Sequence, residues 1–387
     1  MKRDVLIIGA GIGGPALGVF LKRAGHRVRV YEAYPRYVAV EGGFQVSPNG
    51  MRVLADLGLA AAVESEGAIG QGFWFLNSRG QTLTRFNISG RPVMLQRAPL
   101  HRFLLELAEQ EGVEVTYGRR LEGVEETDNQ VVARFADGTA AEAEVLVGAD
   151  GVHSRVRAAA LPQVPGARAL GALAVGGIVT LEGAVDLRHA PYINLVVGPQ
   201  YQFGFGAIDA SAKLWAWWSH IQHPEAAVRE RAARVEVNAL REQLLGLFGD
   251  WWGPAGSFIS RTSLPLRTAL FDMPPLPRWW AGRVVLTGDA AHAMSPTGGQ
   301  GVSMALEDAQ VLSRLLSTDA RLEHCFTEYQ LQRQGRVEPM VARARQNHAR
   351  TMKAVGPTGA WIRDGILKLL GPVIAKGLNR EYAFQVS

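Results

Sequence analysis

The sequence predicts an α/β protein in which a parallel-sheet domain is interrupted by an inserted antiparallel sheet and followed by a C-terminal helical segment. Short apolar runs end in glycine or Gly-Asp at 5–9, 145–151 and 284–289, as expected of parallel strands buried on both faces. Residues 172–220 are instead rich in β-branched and aromatic side chains, which favour long antiparallel strands. Residues 327–387 show mainly helical periodicity.

Composition excludes several functional classes. The chain of 387 residues is 47% hydrophobic and 20% charged, which is typical of a folded globular protein. A single cysteine, Cys325, rules out an intrachain disulfide framework and a cysteine-cluster metal site, and no metal ligand is predicted. The net charge of +5 comes with no nucleic-acid-binding module, so no nucleic-acid partner is expected. No apolar run reaches the ~20 residues of a spanning helix, which predicts no stable membrane insertion and a cytoplasmic location.

The N-terminus has the pattern of a β-α-β unit that binds a dinucleotide. An apolar strand at 5–8 runs into "GAGIGG", and a helix and a second strand follow, ending at Glu32. Glycine allows a tight turn and the close approach of a pyrophosphate, the helix N-terminus offers free N–H groups, and an acid about 20 residues on can bind a ribose hydroxyl. This pattern does not separate FAD from NAD. The expected nucleotide contacts are Gly9, Gly11, Gly13, Gly14, Glu32 and Ala33.

Two further segments carry a resemblance to one family. Residues 283–309 read "RVVLTGDAAHAMSPTGGQGVSMALEDA", which resembles the Gly-Asp motif of the FAD-dependent aromatic hydroxylases, the group A flavoprotein monooxygenases with a p-hydroxybenzoate hydroxylase-like fold. Residues 145–157 read "VLVGADGVHSRVR", which resembles the second fingerprint of that family. With the N-terminal motif, all three occur in the family's order, and the resemblance covers nearly the whole chain.

The resemblance implies a Rossmann-like FAD-binding domain with an inserted antiparallel-sheet substrate domain and a C-terminal helical segment. The FAD-binding domain is discontinuous, because the inserted sheet separates its fingerprints. The expected boundaries are 1–70, 97–171 and 281–326 for the FAD-binding domain, 71–96 and 172–280 for the substrate domain, and 327–387 for the helical segment.

The third motif is expected to hold the flavin. Asp289, at the carboxyl end of a strand, offers an acceptor to a ribityl hydroxyl, with a helix N-cap or a loop acid as the alternative interpretation. Gly299 and Gly301 leave room for a flat ring. The helix that begins near Val302 points its positive end at that ring.

Other cofactor contacts follow only from the resemblance. Arg97 faces the pyrophosphate or the ribityl chain, with Arg102 as the competing residue. Gly43 allows close approach of the isoalloxazine. Leu121 contacts the adenine through its backbone.

Two charged regions have competing interpretations. Asp150 is implicated in binding the pyrophosphate and the pyridine nucleotide, and a salt bridge to Arg155 is expected. The alternative is an Asp-Gly turn that holds the start of a helix. Arg36 is a candidate for the NAD(P)H phosphate, although a solvated arginine is the favoured interpretation.

Four residues are assigned to the substrate side. Aromatic residues alternate along the predicted strands of the inserted sheet, where they can wall an apolar pocket, with ordinary sheet core as the alternative. His292 and Asp308 are expected to be structural. No catalytic residue is assigned, because the implied reaction needs no protein nucleophile. The expected substrate-side residues are Gln45, Phe203, Trp215 and Pro296.

The resemblance implies an FAD-dependent monooxygenase. NADPH or NADH reduces the FAD as a transient co-substrate, O₂ forms a C4a-hydroperoxyflavin, and an aromatic or polycyclic small molecule is hydroxylated. The alternatives are a flavin-dependent oxidoreductase of the same fold without oxygen insertion, such as a reductase or halogenase, and a non-catalytic flavin-binding regulator. The halogenase signature Gly-Trp-x-Trp-x-Ile-Pro is absent. A monomer or a homodimer is expected, and the identity of the substrate is left open.

The C-terminal segment has three interpretations. Residues 359–378 read "GAWIRDGILKLLGPVIAKGL". A helix that caps the body of the fold is favoured over a membrane-surface helix or a dimer helix. Helix breaks are predicted at Gly356-Pro357 and Gly371-Pro372.

Overall fold

The computed structural model describes residues 2–35, 42–181, 183, 185–223, 235–263 and 265–386. In chain order the strands are β1 (Asp4–Ile8), β2 (Arg27–Tyr31), β3 (Gly43–Val46), β4 (Ala68–Ile69), β5 (Gly72–Asn77), β6 (Thr82–Asn87), β7 (Val93–Gln96), β8 (Glu114–Thr116), β9 (Leu121–Glu126), β10 (Val131–Phe135), β11 (Ala140–Ala143), β12 (Val145–Gly148), β13 (Arg168–Thr180), β14 (Tyr192–Val197), β15 (Gln202–Ala207), β16 (Leu214–Gln222), β17 (Leu266–Asp272), β18 (Trp280–Ala281) and β19 (Val284–Leu286). The α-helices are α1 (Gly13–Arg23), α2 (Pro48–Leu57), α3 (Ala60–Glu66), α4 (Arg97–Gln110), α5 (Arg155–Ala160), α6 (Val237–Phe248), α7 (Ala255–Arg261), α8 (Asp289–His292), α9 (Gly301–Leu316), α10 (Leu322–Met352) and α11 (Pro357–Tyr382).

A six-stranded sheet forms the first core. Its strand order is β18-β19-β12-β1-β2-β8, and every neighbouring pair except β18 and β19 is parallel. The three apolar runs that predict parallel strands lie side by side as β1, β12 and β19, with their apolar side chains almost completely buried. Because the carboxyl ends of parallel strands meet at one edge, the loops after Ile8, Gly148 and Leu286 converge there. We call this the carboxyl edge.

A seven-stranded sheet forms the second core, with the order β17-β13-β16-β15-β14-β5-β6. Its neighbouring strands are antiparallel except β5 and β14, which pair in parallel. The inserted antiparallel sheet predicted from residues 172–220 is therefore present as β13 to β16, extended by β17 on one side and by β5 and β6 on the other.

The two faces of the seven-stranded sheet are different environments, because neighbouring residues of a strand point to opposite sides. On the back face, Phe203 and Trp217 pack with Phe248 of α6 and Phe258 of α7. The opposite front face carries a smaller apolar cluster and contacts β7 through Met94. The short sheet of β3, β7 and β4 therefore lies between the front face and the first core, to which Val46 and Leu95 belong.

Two helices, α10 and α11, form most of the C-terminal segment. The helical break predicted before Pro357 is present, but the break predicted at Gly371-Pro372 is wrong, because α11 continues through Pro372. A proline costs a helix one hydrogen bond. Here Gly371 packs directly on β6, where an added Cβ would lie 2.0 Å from Oγ1 of Thr84, and this contact holds the helix beside the proline. None of the helices in the described ranges has both the length and the apolar content needed to cross a bilayer.

Candidate active site

The first and second motifs meet at the carboxyl edge. Gly9 has a φ of +108°, and a Cβ there would lie 2.4 Å from the carbonyl oxygen of Ala149. A Cβ at Gly14 would lie 2.0 Å from the carbonyl oxygen of Gly9. Packing within the protein therefore requires both glycines. A Cβ at Gly11 would meet no atom within 4 Å, so this glycine leaves space beside the backbone in which a pyrophosphate can approach.

Glu32 is fixed beside this glycine turn. Its carboxylate accepts hydrogen bonds from the backbone N–H groups of Ala10 at 2.8 Å and Tyr34 at 3.0 Å. These bonds hold the acid just after the end of β2, next to Ala33 and close to the turn that leads into α1 at Gly13. This is the position from which a carboxylate reaches a ribose hydroxyl.

Asp289 lies in a cleft at the same edge. It is the first residue of α8 and follows the N-cap, which is Gly288, so the N-cap interpretation of Asp289 is wrong. The residue is exposed, yet the protein atoms around it reduce its hydration and raise the pKa of its carboxyl, against the opposing positive charges of His292 and Arg97. An exposed acid that is nevertheless poorly hydrated lies in a concave site, and we attribute the raised pKa to that concavity.

Arg97, and not Arg102, acts on this cleft. Arg97 begins α4, its backbone N–H donates to the carbonyl oxygen of Gly42 at 3.0 Å, and its charge lowers the pKa of Asp289. Arg102 instead lies within 4 Å of two glutamates, one on α3 and one on α4. The third arginine considered for phosphate binding, Arg36, lies outside the described residues.

Asp150 does not form the expected salt bridge to Arg155. Its carboxylate accepts hydrogen bonds from Oγ of Ser154 at 2.5 Å and from the backbone N–H groups of Arg155 at 2.7 Å and Val156 at 3.1 Å. Reduced hydration raises the pKa of Asp150, and these hydrogen bonds oppose the rise. The alternative interpretation, a turn that holds the start of α5, describes this geometry, because the carboxylate satisfies N–H groups of the first helical turn.

The Arg155 guanidinium binds a backbone carbonyl instead of Asp150. It donates to the carbonyl oxygen of Leu121 at 3.0 Å. Leu121 is buried, and its carbonyl oxygen is already hydrogen-bonded, so its expected backbone contact with the adenine stays a prediction.

Arg157 joins the second and third motifs, a role that sequence reasoning missed. Its side chain is buried, and its guanidinium donates to the carbonyl oxygens of Ala290 at 2.7 Å and Val152 at 2.8 Å. Burial lowers the pKa of this guanidinium, and the charge of Asp150 partly offsets the effect. Because Ala290 follows Asp289, the arginine fixes the turn that presents the Asp289 carboxylate. The available signal was the second arginine of "HSRVR".

Residues 296–301, here called the flavin loop, leave open space at the start of α9. Gly299 has a φ of +61°, and a Cβ at Gly299 or Gly301 would meet no atom within 4 Å. α9 begins at Gly301, and its N-cap residue, Gln300, makes no side-chain capping hydrogen bond. The first N–H groups of the helix are thus available to a ligand. Val302 is half-buried at this start, and Pro296 is exposed at the beginning of the loop.

The carboxyl edge fits an extended FAD molecule. Gly11 leaves open space beside the backbone, Glu32 holds a carboxylate next to this turn, and Asp289 offers a second carboxylate at the same edge. The open backbone at Gly299 and Gly301 leaves space for a flat ring. Packing of α9 on α1 brings the helix that follows the glycine turn next to the helix that follows the flavin loop.

A buried charge cluster lies behind Asp289. Asp308 of α9 accepts hydrogen bonds from Nε of Arg333 at 2.6 Å and from the N–H of Gly288 at 2.8 Å, and Nε2 of His292 lies 2.6 Å from it. Burial opposes ionisation of Asp308, but the charges and hydrogen bonds of His292 and Arg333 outweigh it and hold the pKa of Asp308 below its ordinary range. His292 and Asp308 are structural, as expected. Nothing in the local sequence pairs them with Arg333, which is 25 residues beyond Asp308.

Phe203 and Trp215 are not substrate-side residues, and this part of the sequence prediction is wrong. Both are completely buried on the back face of the seven-stranded sheet. The Phe203 ring stacks on Trp217 with centroids 5.4 Å apart. The alternative interpretation, ordinary sheet core, is correct for both residues.

The front face of the same strands is apolar and closely approached. A Cβ at Gly204 would lie 2.3 Å from the indole of Trp218, and a Cβ at Gly206 would lie 2.7 Å from Sδ of Met94. Trp218 is half-buried and belongs to a small cluster with Met94 and Ile208. The missed signal was the alternation of glycine with phenylalanine in "FGFGA", because glycine in a strand marks a face that another group approaches closely.

β3 connects the front face to the flavin loop. A Cβ at Gly43 would lie 2.7 Å from Cβ of Ala216, so packing against the sheet accounts for this glycine, and the expected reason, room for the flavin ring, is not needed. Just beyond the other end of β3, Oγ of Ser47 donates to the carbonyl oxygen of Gly299 at 3.4 Å. Gln45 lies between Gly43 and Ser47 on this strand, and its side-chain amide donates a hydrogen bond to Oγ of Ser47 at 3.0 Å.

Comparison with known proteins decides the family. The family described as "FAD binding domain" matches residues 2–352. The chain belongs to the FAD-dependent aromatic hydroxylases. Its cofactor is FAD, and it is an enzyme of the flavoprotein monooxygenase class.

Relatives of this family match nearly all of the chain. The aurachin C monooxygenase/isomerase of Stigmatella aurantiaca is 32% identical over 382 residues, covering 95% of this chain and 94% of that protein. The FAD-dependent urate hydroxylase of Klebsiella pneumoniae is 30% identical, with 93% of each chain covered. The crystal structure of Klebsiella pneumoniae HpxO with FAD and uric acid superposes with a TM-score of 0.87 at 28% identity, covering 98% of this chain and 96% of that one.

Proposed function

We propose that this enzyme oxidises NADPH or NADH and hydroxylates a small aromatic molecule held between the front face and the flavin loop. The observation that carries the proposal is the path of β3, which brings Gly43 against the front face and leads to Ser47, hydrogen-bonded to Gly299 of the flavin loop. A planar substrate in that position has the cofactor side on one face and the apolar sheet on the other.

The residues of the carboxyl edge have separate roles in holding FAD under this proposal. Glu32 would accept a hydrogen bond from a ribose hydroxyl. Gly11 would leave space for the pyrophosphate, and Arg97 would supply positive charge beside it. Asp289 accepts a ribityl hydroxyl. The first N–H groups of α9, which begins at Gly301, would stabilise negative charge on the flavin ring. Bound FAD supplies the electron transfer and the activation of O₂.

The front face orients the substrate and excludes water. Its side chains next to β7 are apolar, and such a wall removes water from the reacting centre and leaves orientation to a few polar groups. Gln45, which is half-buried between the front face and the flavin loop, is the proposed polar contact. The apolar residues of this wall are Met94, Ile178, Ile193, Ile208 and Trp218.

The substrate is proposed to be an aromatic ring that carries hydroxyl or amino groups. Relatives that match at least 83% of this chain are named for urate, 6-hydroxynicotinate and 3-amino-4-hydroxybenzoate. Oxygen transfer from a flavin is an electrophilic attack, and such substituents raise the electron density of the ring that is attacked.

A substrate screen tests the proposal. FAD-loaded protein is mixed with NADPH or NADH and with a panel of phenolic acids, aminophenols, hydroxylated N-heteroaromatic acids and polycyclic phenols. We expect at least one compound to accelerate NAD(P)H oxidation and to gain one oxygen atom, which carries the isotope when labelled O₂ is supplied. Accelerated NAD(P)H oxidation that yields a reduced form of a compound, and no oxygenated product with any compound, would contradict hydroxylation and favour a reductase.

A further inference from the structure

α11 presents an apolar surface that the rest of the described chain leaves uncovered. Half of the exposed large apolar residues of the described chain lie between 361 and 373. Single exposed apolar residues are ordinary, but a contiguous group marks an interaction surface. We call this group the α11 stripe. It consists of Trp361, Ile362, Ile366, Leu369, Leu370 and Val373.

The α11 stripe follows helical periodicity. From Ile362 its members recur at i+4, i+7, i+8 and i+11, so they lie on one side of the helix. Trp361 and Leu369 are 78% and 80% exposed, which means that the stripe points away from the protein body. The favoured interpretation from the sequence, a helix that caps the fold, accounts only for the opposite side of α11.

Cations, and not acids, accompany the α11 stripe. Lys368, Lys376 and Arg380 are exposed on the same helix. The two acidic residues of α11 are turned toward the protein, where Asp364 pairs with the arginine before it and Glu381 pairs with an arginine of α10. The exposed side of α11 is therefore apolar and positive.

The protein body holds α11 in place. Gly371 packs on β6, and the side chain of Asn379 accepts a hydrogen bond from the N–H of Ser89 at 2.7 Å. At the end of the helix Tyr382 is buried, and its hydroxyl lies close to Gln45, where burial raises the pKa of Tyr382 to about 12 against opposing hydrogen bonds. These contacts fix the inner side of α11, so the α11 stripe is a preformed outward surface.

We propose that the α11 stripe docks the protein on a membrane surface that contains anionic lipids. A helix that exposes an apolar side can lie in the plane of a bilayer with that side at the acyl boundary, while long basic side chains reach the headgroups. Tryptophan, here Trp361, is favoured at that boundary. The three exposed cations of α11 then face anionic headgroups, to which each basic residue is attracted.

A second copy of the chain is a poorer occupant of the same surface. A twofold pair places the same residues on both sides of an interface. Each α11 stripe would then offer the other its cations and no exposed acid of α11 to pair with them. Anionic lipid supplies the negative charge that a second copy lacks.

Vesicle flotation tests the proposal on the FAD-loaded full chain. Vesicles contain phosphatidylcholine alone or phosphatidylcholine and phosphatidylglycerol at a two-to-one ratio. We expect binding to the anionic vesicles that weakens in high salt, with little binding to phosphatidylcholine alone. Leu369→Gln should lower the partition coefficient by about tenfold, because one exposed leucine is lost from the membrane-facing side. The matched control is Leu331→Gln, which changes another exposed leucine, 64% exposed on α10, and should bind like the wild type.

Charge and oligomeric state complete the test. The double variant Lys368→Gln and Lys376→Gln should weaken binding to anionic vesicles by about tenfold or more. Equal binding of the wild type, Leu369→Gln and the lysine double variant to anionic vesicles would overturn the proposal. So would a lipid-free dimer, seen by sedimentation velocity, that Leu369→Gln dissociates. The flotation readout needs no turnover, so its failure leaves the proposed reaction untouched.

Discussion

The two faces of the seven-stranded sheet are made from the same strands but differ in how they are filled. On the back face, Phe203, Trp215 and Trp217 are completely buried and pack against α6 and α7. On the front face, Gly204 and Gly206 have no side chains, so Trp218 and Met94 lie directly over the backbone. Trp218 is only half-buried.

The proposed function assigns stability to the back face and substrate binding to the front face. The back face is a close-packed core in which each aromatic ring has protein on every side. On the front face, glycine lets Met94 of β7 come close, and under the proposed function the remaining apolar surface faces the substrate. Substitutions on the two faces should therefore change different measurements.

The largest effect is expected from emptying the back face. Phe203→Ala removes a fully buried ring from the stack with Trp217 and should lower the free energy of unfolding by about 3–5 kcal/mol. Urea denaturation checks the loss of stability. The KM for the aromatic substrate, measured on the folded fraction, should stay within about twofold of the wild type, and a much larger KM would show that the back face contacts the substrate.

The second-largest effect is expected at the carboxyl edge, on the affinity for FAD. Asp289→Ala removes a charged hydrogen-bond acceptor from the cofactor cleft and should weaken FAD binding by about tenfold to a hundredfold. Equilibrium titration of the apoprotein with FAD measures this. Asp250→Asn changes an exposed acid elsewhere and serves as the control. Equal FAD affinity in the wild type, Asp289→Ala and Asp250→Asn would contradict the proposal that Asp289 binds FAD.

A smaller effect is expected from filling the front face. Gly206→Val places side-chain atoms against Sδ of Met94, whose flexible side chain can move into the proposed substrate space. The KM of the aromatic substrate should rise by about tenfold, while FAD affinity and the urea midpoint change little. The reverse result, a large loss of stability with an unchanged KM, would make the front face as much a core as the back face.

Near neutral pH, the smallest effect is expected from a titrating group on the front-face side of β16. Burial, with a smaller contribution from the charge of His348, lowers the pKa of His220 from 6.5 to about 3. Its ring lies 6.0 Å from that of His348, although the residue keeps some exposure. Below pH 6.5 the unfolded chain takes up a proton that the folded chain refuses, so stability falls as the pH drops from 6.5 toward 3.

His220→Gln checks this sign. The variant should lose less stability than the wild type as the pH drops from 6.5 toward 3. The midpoint of urea denaturation, measured at each pH, checks this. A pH dependence as steep as that of the wild type would show that His220 is protonated equally in both states.

Local patterns predicted the parts of the molecule that depend on neighbours in sequence. Gly9 and Gly14 are required by a turn of a few residues, and Glu32 follows the strand that the periodicity marks, so their positions were readable. The face on which Phe203 lies was not readable, because an alternating strand looks the same whichever side is buried. Arg333 was missed for a related reason, since its partner Asp308 belongs to another helix.

Amide hydrogen exchange with and without FAD tests most directly the claim that three distant chain segments cradle one cofactor. We expect FAD to slow exchange together at 9–14, 148–152 and 288–302, with no change in α6 and α7 on the back face. Protection confined to one of the three segments, or appearing equally in α6 and α7, would contradict it.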